Sequence, residues 1–173
     1  ERFTALQTRQ IDVLMRNTTW TLTRDGDLGV DFGPTTFYDG QGLMARDGLG
    51  IGSIDDLDGA SICTLTGTTT ELNITEAMES RGFEYELVLF EQSSETIAAL
   101  EEGRCDVLTS DQSQLAGLRS EAQNPGALII LPDVISKEPL GPAYLQNDSV
   151  WADVVNWTVY ATLTAEEFGI TQD

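Results

Sequence analysis

Apolar positions in this chain follow two spacings that alternate along its length. Short runs rich in β-branched and aliphatic residues, at 61–65, 85–90, 105–109 and 127–131, read as strands. Between them the apolar residues fall three or four apart: Leu72, Ala77 and Met78, then Ile97, Ala98 and Leu100, then Leu115 and Leu118. Each of these reads as a helix. The first two stop at glycines, Gly82 and Gly103, and the third at Asn124-Pro125-Gly126. The order β-α-β-α-β-α-β over 61–131 predicts a parallel, doubly wound α/β lobe.

The flanking segments extend the picture. Phe3 and Leu6 lie at helical spacing over 3–10, and Ile11-Asp12-Val13-Leu14-Met15 reads as a buried strand. Val30-Asp31-Phe32 and Phe37-Tyr38 lead through Gly40 and Gly42 into Leu43-Met44-Ala45, an extended crossing between lobes. A second crossing is expected over 132–145, which holds Pro139, Gly141 and Pro142. Residues 47–59 form a polar, glycine-rich connection with Ile54 and Leu57 as core contacts. Its aspartates, Asp55, Asp56 and Asp58, lack the spacing of a calcium loop and read as a solvated helix start. The last helix begins near Asp148 and is expected to bury Val150, Val154, Trp157, Ala161 and Phe168, and to end at Gly169.

Composition narrows the function classes. At 173 residues the chain suits one ordinary domain or two small lobes. A net charge of −20, with Lys137 the only lysine, argues against nucleic acid and against an anionic membrane surface as partners. The absence of histidine removes Ser-His-Asp and Cys-His nucleophile pairs and the commonest zinc ligand. Cys63 and Cys105 fit no CxxC pattern. If their strands are neighbours they can form one disulfide in an oxidising compartment; otherwise they are two buried thiols. No apolar run approaches the ~18 residues of a membrane-spanning helix.

Three features carry candidate chemistry, each with a plainer alternative. In Ser61-Ile62-Cys63-Thr64-Leu65-Thr66-Gly67-Thr68-Thr69-Thr70-Glu71-Leu72 a strand turns at Gly67 into a helix. Free N–H groups at such a helix start attract a carboxylate or phosphate. The alternative is a simply capped helix. Arg24 closes the hydroxyl- and amide-rich stretch Arg16-Asn17-Thr18-Thr19-Trp20-Thr21-Leu22-Thr23-Arg24 and offers a planar fork to a carboxylate. It is otherwise a surface arginine among Asp25 and Asp27. Asp111 follows a strand at the sheet end where ligands sit, and can hold an ammonium group, or else cap the helix expected over 113–123.

Taken together, these segments resemble the periplasmic amino-acid-binding proteins of polar amino-acid ABC transporters (family 3 solute-binding proteins), in particular the general L-amino-acid-binding subgroup. The resemblance rests on Ile11-Asp12-Val13-Leu14, Asn17-Thr18-Thr19-Trp20-Thr21 with Arg24, and Tyr38-Asp39-Gly40-Gln41-Gly42. Gly67-Thr68-Thr69-Thr70-Glu71-Leu72-Asn73, Gly103-Arg104-Cys105-Asp106-Val107 and Lys137-Glu138-Pro139-Leu140-Gly141-Pro142 continue it. It implies a periplasmic-binding-protein type II fold: two doubly wound α/β lobes joined by two crossing segments and closing on an amino acid. Residues 1–42 and 139–173 would belong to lobe 1 and residues 43–138 would form a complete lobe 2.

By position the resemblance implies that Arg24 pairs with a ligand α-carboxylate, helped by the Thr69 N–H. Asn17 and Thr19 would accept from the α-ammonium or donate to the carboxylate, Asp111 would grip the ammonium, and Thr68 and Thr70 would line the same wall. Leu65 completes the ligand set, with Cys63 and Cys105 as the disulfide pair. No catalytic residue, metal or cofactor is expected. The implied role is a periplasmic, non-enzymatic binder of polar L-amino acids that delivers them to an ABC permease in the inner membrane. The alternatives are a sensor or receptor core, or a periplasmic dehydratase or lyase using Asp111 or Glu71. Lobe 1 of the family starts ahead of Glu1, so an incomplete lobe 1 is expected. It would leave Phe3, Val13, Trp157 and Phe168 uncovered, to be buried by pairing of two copies.

Overall fold

The computed structural model describes residues 2–171. Helices α1 (Arg2–Gln7) and α2 (Leu22–Asp27) precede strands β1 (Val30–Phe32) and β2 (Phe37–Arg46). Next come β3 (Ala60–Leu65), α3 (Thr69–Arg81), β4 (Tyr85–Phe90), α4 (Ser93–Glu102), β5 (Val107–Asp111), α5 (Gln112–Glu121) and β6 (Leu128–Ile130). The chain closes with β7 (Lys137–Leu140), β8 (Ala143–Leu145) and α6 (Ser149–Glu167). It divides into two compact units, Glu1–Tyr38 with Pro139–Asp173, and Asp39–Glu138.

The larger unit is built on one sheet in the order β4-β3-β5-β2-β6. β3 runs parallel to β4 and to β5, as the β-α-β spacing predicts. The sheet is not wholly parallel, however: β2 is inserted between β5 and β6 and runs antiparallel to both. The repeating pattern over 61–131 could not reveal this, because β2 enters from outside that stretch. Period-two alternation then sorts the side chains to two faces. Leu43, Ala45, Ile62 and Val107 face α3 residues Ile74, Ala77 and Met78, while Met44, Cys63 and Leu108 face Ala99, Leu100 and Leu115 of α4 and α5.

The insertion of β2 demands small residues. A Cβ on Gly40 would lie 2.5 Å from Val134 Cγ1, and one on Gly42 would lie 2.9 Å from Gln112 Cγ. The two helix stops read from sequence, Gly82 and Gly103, take left-handed φ values of 69° and 77° as C-caps of α3 and α4. The acidic cluster at 55–58 starts a short 3-10 turn, Ile54–Asp56, in a capping box with Ser53.

Cys63 and Cys105 form a disulfide between β3 and the segment ahead of β5. Cys105 itself lies before the strand, which begins at Val107 rather than at the expected position. Asp106 instead stitches this edge: its carboxylate accepts from Ser61 N at 2.9 Å and Ser61 Oγ at 2.7 Å. Those two bonds, with Arg46 nearby, hold its pKa below the ordinary value of 3.8. Arg46 also donates to the carbonyls of Leu100 (2.7 Å) and Cys105 (3.0 Å), tying β2 to the end of α4.

The smaller unit pairs β1 with β8, Val30 opposite Leu145 and Phe32 opposite Ala143. Its core gathers Leu6, Leu14, Val30, Phe32 and Ala143, and Trp20 stacks on Phe32 at 6.0 Å. The strand expected at 11–15 is not formed. Leu14 makes a single bridge to Ala143 and Met15 is 63% exposed. An apolar run becomes a strand only when a neighbouring backbone pairs along it, and here β8 pairs along β1 instead. Nor is a helix expected at Leu22–Asp27; it forms because Thr21 caps it, accepting from Arg24 N at 3.2 Å, with Asp25 in its first turn.

The last helix forms where expected, with Asp148 accepting from Trp151 N, but its packing face is different. Val155 and Val159 are buried, whereas Val150, Val154, Trp157 and Phe168 are exposed by 74%, 49%, 68% and 76%. This helix carries apolar residues on more than one side, so spacing alone could not choose the face that packs.

Two outcomes follow for stability. Replacing both cysteines by serine should lower unfolding free energy by about 4 kcal/mol, the loop-entropy value for a separation of 42 residues, measured by urea titration against the oxidised chain. Asp106→Asn should flatten the acid limb of the stability curve. Its depressed folded pKa contributes stability above the unfolded value, and that contribution is lost as pH falls through the folded one. Melting temperatures measured from pH 7 down to pH 2 should therefore fall less steeply in the variant than in the parent.

Candidate functional site

In the larger unit the strand-turn-helix stretch forms as the sequence predicts, with a capped helix start. Gly67 makes the turn at φ 67°, and Thr68 caps α3 by accepting from Glu71 N at 3.2 Å. Glu71 reaches back to accept from Gly67 N at 2.6 Å. The Thr68 hydroxyl donates to Leu65 O at 2.7 Å, which commits its only proton. Thr70 Oγ1 lies 2.7 Å from Thr68 Oγ1 and must therefore be the donor of that pair. Thr68 and Thr70 are buried and Thr69 is half-buried, so the wall is fixed before any ligand meets it.

Asp111 ends β5 and stands in register opposite Gln41 of β2. It precedes α5 and is 6% exposed, yet its side chain makes no capping bond to that helix. Asp39 takes that role: its carboxylate receives Ser113 N at 3.3–3.4 Å, and its Oδ1 receives Gly40 N at 2.8 Å. Parallel pairing of β3 with β5 puts the ends of these strands side by side. Leu65 and the Gly67 turn thus share with Asp111 the carboxyl edge of the sheet, where α/β sheets take their ligands.

Behind this wall lies a buried polar cluster to which sequence reading gave no role. Gln41, fully buried, donates through Nε2 to Thr70 O and to Thr109 Oγ1, both at 2.9 Å. Asn73 donates to Gln41 Oε1 at 3.0 Å and to Glu138 Oε1 at 2.9 Å. Glu138, 2% exposed, also accepts from Thr69 Oγ1 at 3.1 Å and from Ser136 Oγ. One signal was available: Gln41 is a polar amide between two glycines at the head of the apolar run Leu43-Met44-Ala45, and a buried amide needs partners.

The smaller unit holds Asn17, Thr19 and Arg24. Arg24 lies in the first turn of α2, its Nη1 donates to Thr19 O at 2.8 Å, and its guanidinium sits 5.1 Å above the Phe3 ring. Thr19 is buried and bridges Leu140, and the Asn17 carbonyl accepts from Arg2 Nη1 at 2.8 Å. Arg24 is therefore an oriented side chain, not a loose surface arginine.

Among the described residues no group of three or more acidic or cysteine side chains is arranged to hold a metal, and no helix is long and apolar enough to cross a membrane. What the two sets offer is charge of both signs: a guanidinium held by the Thr19 carbonyl and the Phe3 ring in one unit, and a carboxylate on the same sheet edge as a helix N-terminus in the other.

No family model matches the chain. Individual proteins do. It is 56% identical over 172 residues to the general L-amino acid-binding periplasmic protein AapJ of Rhizobium johnstonii, a match covering 99% of this chain and 50% of that protein. It is 45% identical over 171 residues to the glutamate/glutamine/aspartate/asparagine-binding protein BztA of Rhodobacter capsulatus, covering 99% and 51%. Its fold matches an ABC transporter periplasmic binding protein from Brucella ovis with glutathione bound, at a TM-score of 0.94 and 53% identity over 99% of this chain and 54% of that one. The chain thus spans about half the length of these relatives. Over that span it is similar, in both sequence and fold, to the periplasmic binding proteins of amino-acid ABC transporters.

Proposed function

We propose that this chain supplies ligand-gripping surfaces of a periplasmic solute-binding protein, which captures polar L-amino acids and passes them to an ABC permease in the inner membrane without turning them over. The observation that carries the reading is the Gly67–Thr70 wall with the buried Asp111 carboxylate beside it on one sheet edge. A zwitterion needs partners of both signs. In the smaller unit Arg24, with Asn17 and Thr19, offers partners for an α-carboxylate; in the larger unit Asp111 offers a partner for an α-ammonium, and the Thr69 N–H with Leu65, Thr68 and Thr70 forms the wall beside it.

The names of the relatives point to the ligand class. One binds acidic amino acids and their amides, and the Brucella ovis protein holds glutathione, whose γ-glutamyl end carries the same α-ammonium and α-carboxylate as a free amino acid. Glutathione therefore belongs in the test panel as a second ligand type.

Titration calorimetry of this chain with L-glutamate, L-glutamine, L-aspartate, L-histidine and glutathione tests the reading. Binding of at least one is expected, and Arg24→Ala or Asp111→Ala should each weaken it by roughly 2–5 kcal/mol. Silence across the panel from a folded chain, or undiminished binding in both variants, would reject the assignment.

The exposed Val150, Val154, Trp157 and Phe168 of the last helix support a second contact, with another copy of the chain. Light scattering at micromolar concentration should then give twice the chain mass of 18.8 kDa, and Trp157→Glu should halve it. A parent of single-chain mass would rule the pairing out.

A further inference from the structure

The polar cluster behind the wall has a direction that depends on Glu138. A carboxylate accepts hydrogen bonds and donates none, so every group bonded to it must turn a proton toward it. The Thr69 hydroxyl spends its proton on Glu138 Oε2, Ser136 Oγ spends its own on Oε1, and Asn73 is forced to present its amide nitrogen. With Asn73 so oriented, its second N–H meets Gln41 Oε1, which orients Gln41 to donate to Thr70 O and Thr109 Oγ1. Thr109 in turn passes its proton to Gly42 O at 2.8 Å. One buried carboxylate thus orients two amides and the hydroxyl of Thr69, and through Gln41 it anchors the carbonyl of Thr70.

Glu138 sits on β7, the strand that carries the second passage between the two units, while Thr69 and Asn73 lie in the first turn and a half of α3. We propose that Glu138 is a positioning residue that locks the start of α3 to β7 and fixes which way the Thr69 hydroxyl points, so that the wall meets its ligand in a single polarity. The effect on binding rests on the ligand reading of the Gly67–Thr70 turn; the locking of α3 does not.

The test uses this chain with Glu138→Gln, Thr69→Val, both together, and Thr69→Ser. Without ligand, amide hydrogen exchange is followed at Glu71, Leu72 and Asn73. Glu138→Gln and Thr69→Val should each speed exchange there by about tenfold, the double variant should be no faster than the faster single, and Thr69→Ser should exchange like the parent. Amides of β4 should not change. Unaltered exchange at the start of α3, or effects of the two changes that multiply, would overturn the proposal. Should Glu138→Gln not fold, the Thr69→Val and Thr69→Ser pair decides it, and equal exchange in those two would overturn it. Titration with L-glutamate forms a separate arm: Glu138→Gln and Thr69→Val should weaken binding without compounding. A parent that binds no ligand would defeat the functional reading while leaving the exchange result to decide the role of Glu138.

Discussion

The larger unit depends on a close fit of one backbone between two others. β2 runs against β5 on one side and β6 on the other, and it can do so only because Gly40 and Gly42 leave room for Val134 and Gln112 to close over it. The same strand delivers Gln41 to the buried polar cluster, Asp39 to the start of α5 and Arg46 to the end of α4. A side chain at either glycine would therefore displace more than its own contacts. It would shift the strand that fixes the positions of three helices.

Polar groups, not only apolar ones, determine the interior near the site. Thr64, Thr70, Thr109, Gln41 and Glu138 are all buried, and each has hydrogen-bond partners. Burial without partners would cost several kcal/mol per group, so a satisfied set of this size is demanding of geometry. Its members come from β2, β3, α3, β5 and β7, which ties the carboxyl edge of the sheet into one rigid piece. A rigid wall of this kind can hold a small polar ligand without reordering when it arrives, and that saves affinity otherwise lost to ordering.

Electrostatics divide between the units in the same way as the chemistry. The guanidinium of Arg24 is oriented by Thr19 and Phe3 in one, and Asp111 with the helix start at Thr69 lies in the other. On a chain of net charge −20, an oriented arginine is a scarce resource for attracting an anionic group, and its placement in a hydroxyl-rich stretch suits a carboxylate.

Sequence by itself determined the β-α-β alternation over 61–131, the glycine stops of α3 and α4, the turn at Gly67 and the candidacy of Arg24 and Asp111. All of these depend on local spacing, backbone freedom or residue chemistry, which a linear pattern records. Tertiary structure alone decided the antiparallel place of β2, the failure of 11–15 to become a strand, the face on which the last helix packs, and the assembly of Gln41, Asn73, Ser136 and Glu138 into one cluster. It also decided that Asp39, and not Asp111, caps α5. Each of these outcomes is set by which backbone or side chain arrives from far along the chain, and hydrogen-bond partners 29 to 74 residues away leave no periodic trace in the sequence.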